Sequence, residues 1–118
     1  MFELKVSANF SSAHKLRKYI GKCARLHGHN WKVDIYIRSN HLDKIGMIKD
    51  AQDVKKILNK FLEKLDHRYL NEMPFFKKKN PTSENIARYI YQELKRTLPQ
   101  LVKVCVHESD SVAVSYQM

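Results

Sequence analysis

Cys23, His27 and His29 stand close together in the stretch KCARLHGHNW (22–31), and a third histidine, His14, sits near the end of FSSAHKL. A thiolate and neutral imidazoles suit borderline divalent ions, and three imidazoles with one open position are the donor set of a catalytic zinc centre. Side chains at i and i+2 of a strand point the same way, about 6 to 7 Å apart. His27 and His29 can therefore aim at one ion, and His14 is expected as the third ligand. An unpaired buried polar group costs about 1 to 3 kcal/mol, so two imidazoles turned toward an apolar core need a partner. Gly28, without a side chain, is expected to let backbone pack closely at this point. Cys23 has two readings: a fourth ligand that closes a structural site, or a nucleophile or base beside the metal. Lys22 and Arg25 flank it and would lower its pKa if they point its way. Asp66 and His67 in LDHRYLN also have two readings, as a charged partner for the thiol or as a helix-terminal ion pair. His41 and His107 carry no comparable pattern and read as structural.

The elements that must position these groups follow from hydrophobic period. Phe2, Leu4, Val6, Ala8 and Phe10 alternate with polar residues, and continuing the parity brings in His14. A second strand runs from His27 to about Arg38, with His29, Trp31, Val33, Ile35 and Ile37 on one face and Asn30, Lys32, Asp34 and Arg38 on the other. Apolar residues at helical spacing, with Asp50 as N-cap, predict a helix over Ala51 to Asp66. A loop then passes Pro74 and the solvated run Lys77 to Lys79. Thr82 caps a second helix whose stripe is Ile86, Ile90, Leu94 and Leu98, ended by Pro99. Leu101 to Glu108 and Val112 to Tyr116 predict two more strands around a Ser109, Asp110, Ser111 turn. The order ββααββ, with strands grouped, predicts an α+β domain in which two helices cover one face of a four-stranded antiparallel sheet. Such a sheet has edges, and pairing them between subunits favours a closed oligomeric ring.

A length of 118 residues predicts a single domain, 1–118. No run approaches the roughly 20 apolar residues of a membrane span, and the alternating N-terminus is unlike a secretion signal. A cytoplasmic location and free thiols at Cys23 and Cys105 are the expectations. The net charge of +10 is attractive to anions over about 8 Å at physiological salt. It raises a rival of another class, a zinc-stabilised basic nucleic-acid-binding module. The basic residues are scattered, however, with no helix-turn-helix, RNA-recognition signature or basic amphipathic helix to organise them. A membrane partner is not expected.

Taken together, FSSAHKL, KCARLHGHNW, LDHRYLN, NPTSENIARYI and VHESDSVAVSY resemble, in order and over nearly the whole chain, the 6-pyruvoyltetrahydropterin synthase superfamily. The three residues between Cys23 and the HGH motif resemble the 6-carboxytetrahydropterin synthases of queuosine and 7-deazaguanine biosynthesis. The pyruvoyl-forming enzymes of animals usually carry a longer gap. The resemblance implies zinc on His14, His27 and His29, catalytic roles for Cys23 as a base beside the metal and for Asp66 with His67 as a relay, and pterin contacts from Thr82, Ser83 and Glu108. It implies conversion of 7,8-dihydroneopterin triphosphate to 6-carboxy-5,6,7,8-tetrahydropterin, acetaldehyde and triphosphate by a zinc-dependent lyase. The pyruvoyl-forming synthase and an aldolase of the same superfamily are the nearest alternatives. It further implies the tunnelling fold (T-fold), in which sheets of three subunits close a barrel and two trimers stack, with active sites between subunits. Some of Lys15, Arg17, Lys18, Lys22 and Arg25 are candidates for the triphosphate. One departure is Ala51 after GMIKD, where many members carry an aromatic.

Overall fold

Alternation of apolar and polar side chains makes Phe2–His14 (β1) and His27–Ser39 (β2) a matched pair, antiparallel along their full length from Phe2 opposite Ser39 to His14 opposite His27. This pairing appears in a computed structural model that describes residues 1–118. Leu101–His107 (β3) pairs with β2 only from Lys32 to Ile37, and Ala113–Tyr116 (β4) pairs with β3. The sheet order is β1-β2-β3-β4. Because β3 stops at Lys32, residues 10–14 and 27–31 continue as a two-stranded ribbon past the four-stranded sheet.

One face of the sheet carries Val6, Phe10, Trp31, Val33, Ile35 and Ile37, all buried. Ala51–Leu62 (α1) lies on β1, and Ser83–Lys95 (α3) lies on β3 and β4. Val54, Leu58, Ile86, Ile90 and Leu94 complete the core from the helix side. Each such side chain, moved out of water, contributes about 1.5 to 3 kcal/mol. Asp50 caps α1 by accepting from the Gln52 N–H, and Thr82 caps α3 by accepting from the Asn85 N–H. This is the expected α+β architecture with both helices between β2 and β3.

The boundaries differ in instructive ways. α1 ends at Leu62 and not at Asp66, since Lys64 and Leu65 turn back through short bonds to Phe61 and Leu62 and the chain is then captured by β1. The expected loop at Pro74 contains a short helix, Pro74–Lys78 (α2), where proline is tolerated at the first turn and Phe76 is buried. Lys77 to Lys79 are exposed, but the first two belong to this helix. The last strand begins at Ala113 instead of Val112. No helix is long and apolar enough to cross a membrane. In urea unfolding, Asp50→Ala is expected to lower stability by about 1 kcal/mol through the lost cap. Leu58→Ala, in the core, is expected to cost about 2 to 5 kcal/mol; equal losses would contradict this division.

Candidate active site

The strand register brings the three histidines together. His14 lies directly opposite His27, and His29 is two residues farther along β2 on the same face, opposite Ser12. Their ring centroids are 4.6 Å apart for His14 and His27, 5.1 Å for His14 and His29, and 4.6 Å for His27 and His29. Trp31 forms the floor, its ring 4.9 Å from His14 and 5.1 Å from His29, and stacks at 5.0 Å on Phe10.

Two of the rings are oriented by backbone carbonyls. His14 Nδ1 donates to the Pro81 carbonyl at 2.7 Å, and His27 Nδ1 donates to the Arg25 carbonyl at 2.6 Å. These bonds fix the proton on Nδ1 and leave the Nε2 lone pairs free. The Nε2 atoms of His14, His27 and His29 are all buried and none has a hydrogen-bond partner. Burial pushes the His14 pKa down to about 4, with the Pro81 carbonyl opposing and the charges of His27 and His29 assisting. It also lowers that of His29, helped by His27 and opposed by Glu108. Three converging nitrogens with no other partner fit a divalent ion. Cys23 lies in the turn Lys22–Ala24 on the loop between β1 and β2, held through its carbonyl by the Leu16 N–H at 2.8 Å. Its sulfur is outside the set of mutually close donor atoms, which comprises the histidines alone.

Asp66 and His67 are fastened to the same ribbon. Asp66 Oδ1 accepts from the Ser11 N–H at 2.8 Å, and its Oδ2 accepts from His67 Nδ1 at 2.8 Å. These bonds, that from Ser11 first, hold the Asp66 carboxyl below its usual range. His67 has φ 53°, a left-handed conformation unfavourable for a residue with a Cβ, and its own N–H is held by the Ser11 carbonyl. Its side chain is 83% exposed, with Nε2 directed away from the aspartate. A cleft of about 540 Å³ is lined by Ser12, Gly28, His29, Asn30, His67 and Tyr69, among others, so His29 of the histidine cluster and His67 share one cavity. Gly28 does not serve close backbone packing, since a Cβ there would meet nothing nearer than the Ser12 carbonyl at 3.9 Å; it lines the cleft mouth instead.

Comparison with known proteins agrees with this geometry. The model of the family described as 6-pyruvoyl tetrahydropterin synthase matches residues 3–118. The chain belongs to that family. It is 36% identical over 114 residues to the 6-carboxy-5,6,7,8-tetrahydropterin synthase of Synechocystis, covering 92% of this chain and 87% of the relative. It is 34% identical over 125 residues to human 6-pyruvoyl tetrahydrobiopterin synthase, covering 92% and 86%. Among solved structures, Caenorhabditis elegans 6-pyruvoyl tetrahydropterin synthase superposes with a TM-score of 0.90 at 30% identity, covering 99% of this chain and 95% of the other.

The other residues expected at the site have mixed surroundings in this chain. The Thr82 hydroxyl caps α3, whereas Ser83 Oγ is buried without a partner. Both follow Pro81, whose carbonyl holds His14. Glu108 opens the β3–β4 turn, with its N–H bonded to the Val112 carbonyl, and is close enough for its charge to raise the His29 pKa. The Arg17 guanidinium is occupied by the Phe76 and Lys79 carbonyls at 2.5 and 3.0 Å, so it anchors the loop after β1. Two asparagines escaped sequence reasoning. Asn71 pairs with both backbone groups of Lys15 at 3.0 and 2.9 Å, and Asn80 does the same for Arg17 at 2.9 and 2.8 Å. Each substitutes for a neighbouring strand. Their signal was their place in LDHRYLN and NPTSEN, but nothing in that spacing names Lys15 or Arg17 as partners.

His14 supplies a pH test on metal-free protein. Its folded pKa is depressed from 6.5 to about 4, so the unfolded chain takes up the proton first. The associated stability is intact above pH 6.5 and is lost as pH falls toward 4, by on the order of 3 kcal/mol. Urea midpoints across that range should fall less steeply for His14→Gln than for the parent; parallel slopes would exclude the assignment. Asn71→Ala, which strips both partners from Lys15, is expected to destabilise the protein by about 1 to 3 kcal/mol in the same assay.

Proposed function

We propose that this chain is a zinc-dependent 6-carboxytetrahydropterin synthase acting on 7,8-dihydroneopterin triphosphate in queuosine biosynthesis, as one domain over residues 1–118. The observation that carries the reading is the set of three buried, unpartnered Nε2 atoms beside a cleft shared with His67. Three imidazoles without a fourth protein donor favour zinc with an open position over a sealed structural site. The short gap between Cys23 and His27 and the likeness to the Synechocystis enzyme favour the carboxy product. The likeness to human 6-pyruvoyl tetrahydrobiopterin synthase favours the pyruvoyl product as the second reading.

Zinc held by His14, His27 and His29 supplies Lewis acidity toward a side-chain hydroxyl of the substrate, making nearby protons easier to remove. The residues of the chain do the rest. Cys23, as thiolate, takes a proton from the substrate side chain. His67 keeps its Nδ1 proton on Asp66 and exchanges a proton with the substrate through Nε2, while the aspartate stabilises the charged ring. Glu108 accepts two parallel N–H bonds from the guanidine-like edge of the pterin, and Ser83 Oγ, with Thr82, faces the ring. Lys15, Lys18, Lys22 and Arg25 are the cations left to receive the triphosphate, since Arg17 is engaged by carbonyls. The sheet edges at β1 and β4 support assembly into a trimer or a dimer of trimers, with the cleft completed by a neighbouring subunit.

Zinc-loaded protein incubated with 7,8-dihydroneopterin triphosphate should take up one water and release 6-carboxytetrahydropterin, acetaldehyde and triphosphate, read by mass analysis. A 6-pyruvoyl product would reassign the reaction to the sister enzyme, and unchanged substrate would count against both. Cys23→Ala should keep its zinc and lose about 10²- to 10⁴-fold in turnover; loss of the metal with the sulfur would instead make Cys23 a ligand.

A further inference from the structure

The opposite face of the sheet repeats the geometry that gathers the histidines. Asp34 on β2 lies directly opposite Cys105 on β3, and His107 is two residues beyond Cys105 on the same side. A cross-strand pair plus an i+2 neighbour is also the arrangement of His14, His27 and His29. Parity turns Asp34, Cys105 and His107 away from the helices, so the two clusters are separated by the thickness of the sheet.

His107 Nε2 lies 2.8 Å from Asp34 Oδ2 and 3.6 Å from Cys105 Sγ, and all three donor atoms lie within 4.8 Å of one another. Asp34 is 3% exposed in its side chain and Cys105 is buried, while His107 at 29% gives access from solvent. Ser7 Oγ donates to Asp34 Oδ1, which holds the carboxylate and leaves Oδ2 for the shared point. A cysteine–histidine–aspartate relay needs the two ring nitrogens in turn, one for the thiol and one for the carboxylate. Here both neighbours meet the same nitrogen. Convergence on one nitrogen is the geometry of chelation. Around a tetrahedral ion, nitrogen and sulfur donors stand about 3.5 Å apart, close to the separation seen, and the nitrogen–oxygen pair opens by about half an ångström when an ion replaces its proton.

We propose that Asp34, Cys105 and His107 form a second divalent-metal site, for a thiophilic ion of the zinc class, on the helix-free face of the sheet. One sulfur, one imidazole nitrogen and one carboxylate oxygen select zinc or cobalt over magnesium and calcium, and a fourth position remains for water. On binding, the Cys105 thiol proton passes to solvent, and the proton that His107 Nε2 shares with Asp34 gives way to the ion, the neutral ring then carrying its one proton on Nδ1 and presenting the Nε2 lone pair. No electron is transferred. The site is independent of the pterin chemistry, since it shares no residue with the histidine cluster.

The test is a cobalt(II) titration of metal-free Cys23→Ser protein. The histidine cluster holds no sulfur, so a thiolate-to-cobalt charge-transfer absorption can come only from Cys105. The expected result is two cobalt ions per chain with that absorption, and one ion without it after Cys105→Ser is added. One ion per chain with no such absorption, or an absorption that survives Cys105→Ser, overturns the proposal and leaves the pterin reading standing. Should Cys105→Ser fail to fold, His107→Gln decides. A loss of tenfold or more in cobalt affinity at that absorption supports the site, and unchanged affinity overturns it.

Discussion

The full-length antiparallel register of β1 with β2 is the constraint from which the site follows. A one-residue slip would send every side chain of one strand to the other face. It would separate His14 from His27 and His29 and expose the Phe10 and Trp31 stack that supports them. The register is fixed by burial: Val6 with Ile35, Ala8 with Val33 and Phe10 with Trp31 are paired across the ladder and face the helices. Stability of the core and alignment of three imidazoles are thus consequences of one pairing.

At the ribbon end the outer edge of β1, an edge strand of the sheet, is closed by local polar clamps. Residues 66–69 run beside Ser11 to Ala13 and bond to their free edge. Ser12 Oγ bridges to the Leu65 carbonyl and the Arg68 N–H. Asn71 and Asn80 tie down Lys15 and Arg17. Backbone polar groups left unpaired at a sheet end must find partners, and here the partners come from the segments that carry Asp66, His67 and Pro81. Closing the edge and assembling the cleft are one structural event, which accounts for the strained φ at His67.

The sheet presents two chemically different faces from the same strands. One is apolar beneath the helices, with imidazoles at its end. The other buries Asp34 among Ser7, Cys105 and His107, although Asp34 falls in the polar half of an alternating strand. Strand alternation separates residues by face, but it does not specify which polar residues are dry. His107, unremarkable in the sequence, acquires its partners only because β3 pairs with β2 at that register.

Much of this was legible without coordinates. Period 2 over residues 2–10 and 27–38 and period 3.6 over the two long helices gave the element order, and motif spacing marked His14, His27, His29, Cys23, Asp66 and His67. The end of α1, the helix at Pro74 and the role of Gly28 were misread, because each depends on contacts with distant segments. By itself the sequence determined which residues face which way, since side-chain direction is a local property of strand and helix. Tertiary structure alone decided which of them meet: the Asp66 bond to Ser11, the asparagine clamps and the Asp34–His107 pair. Those depend on register and on chain reversals between residues far apart in sequence, and local periodicity does not encode them.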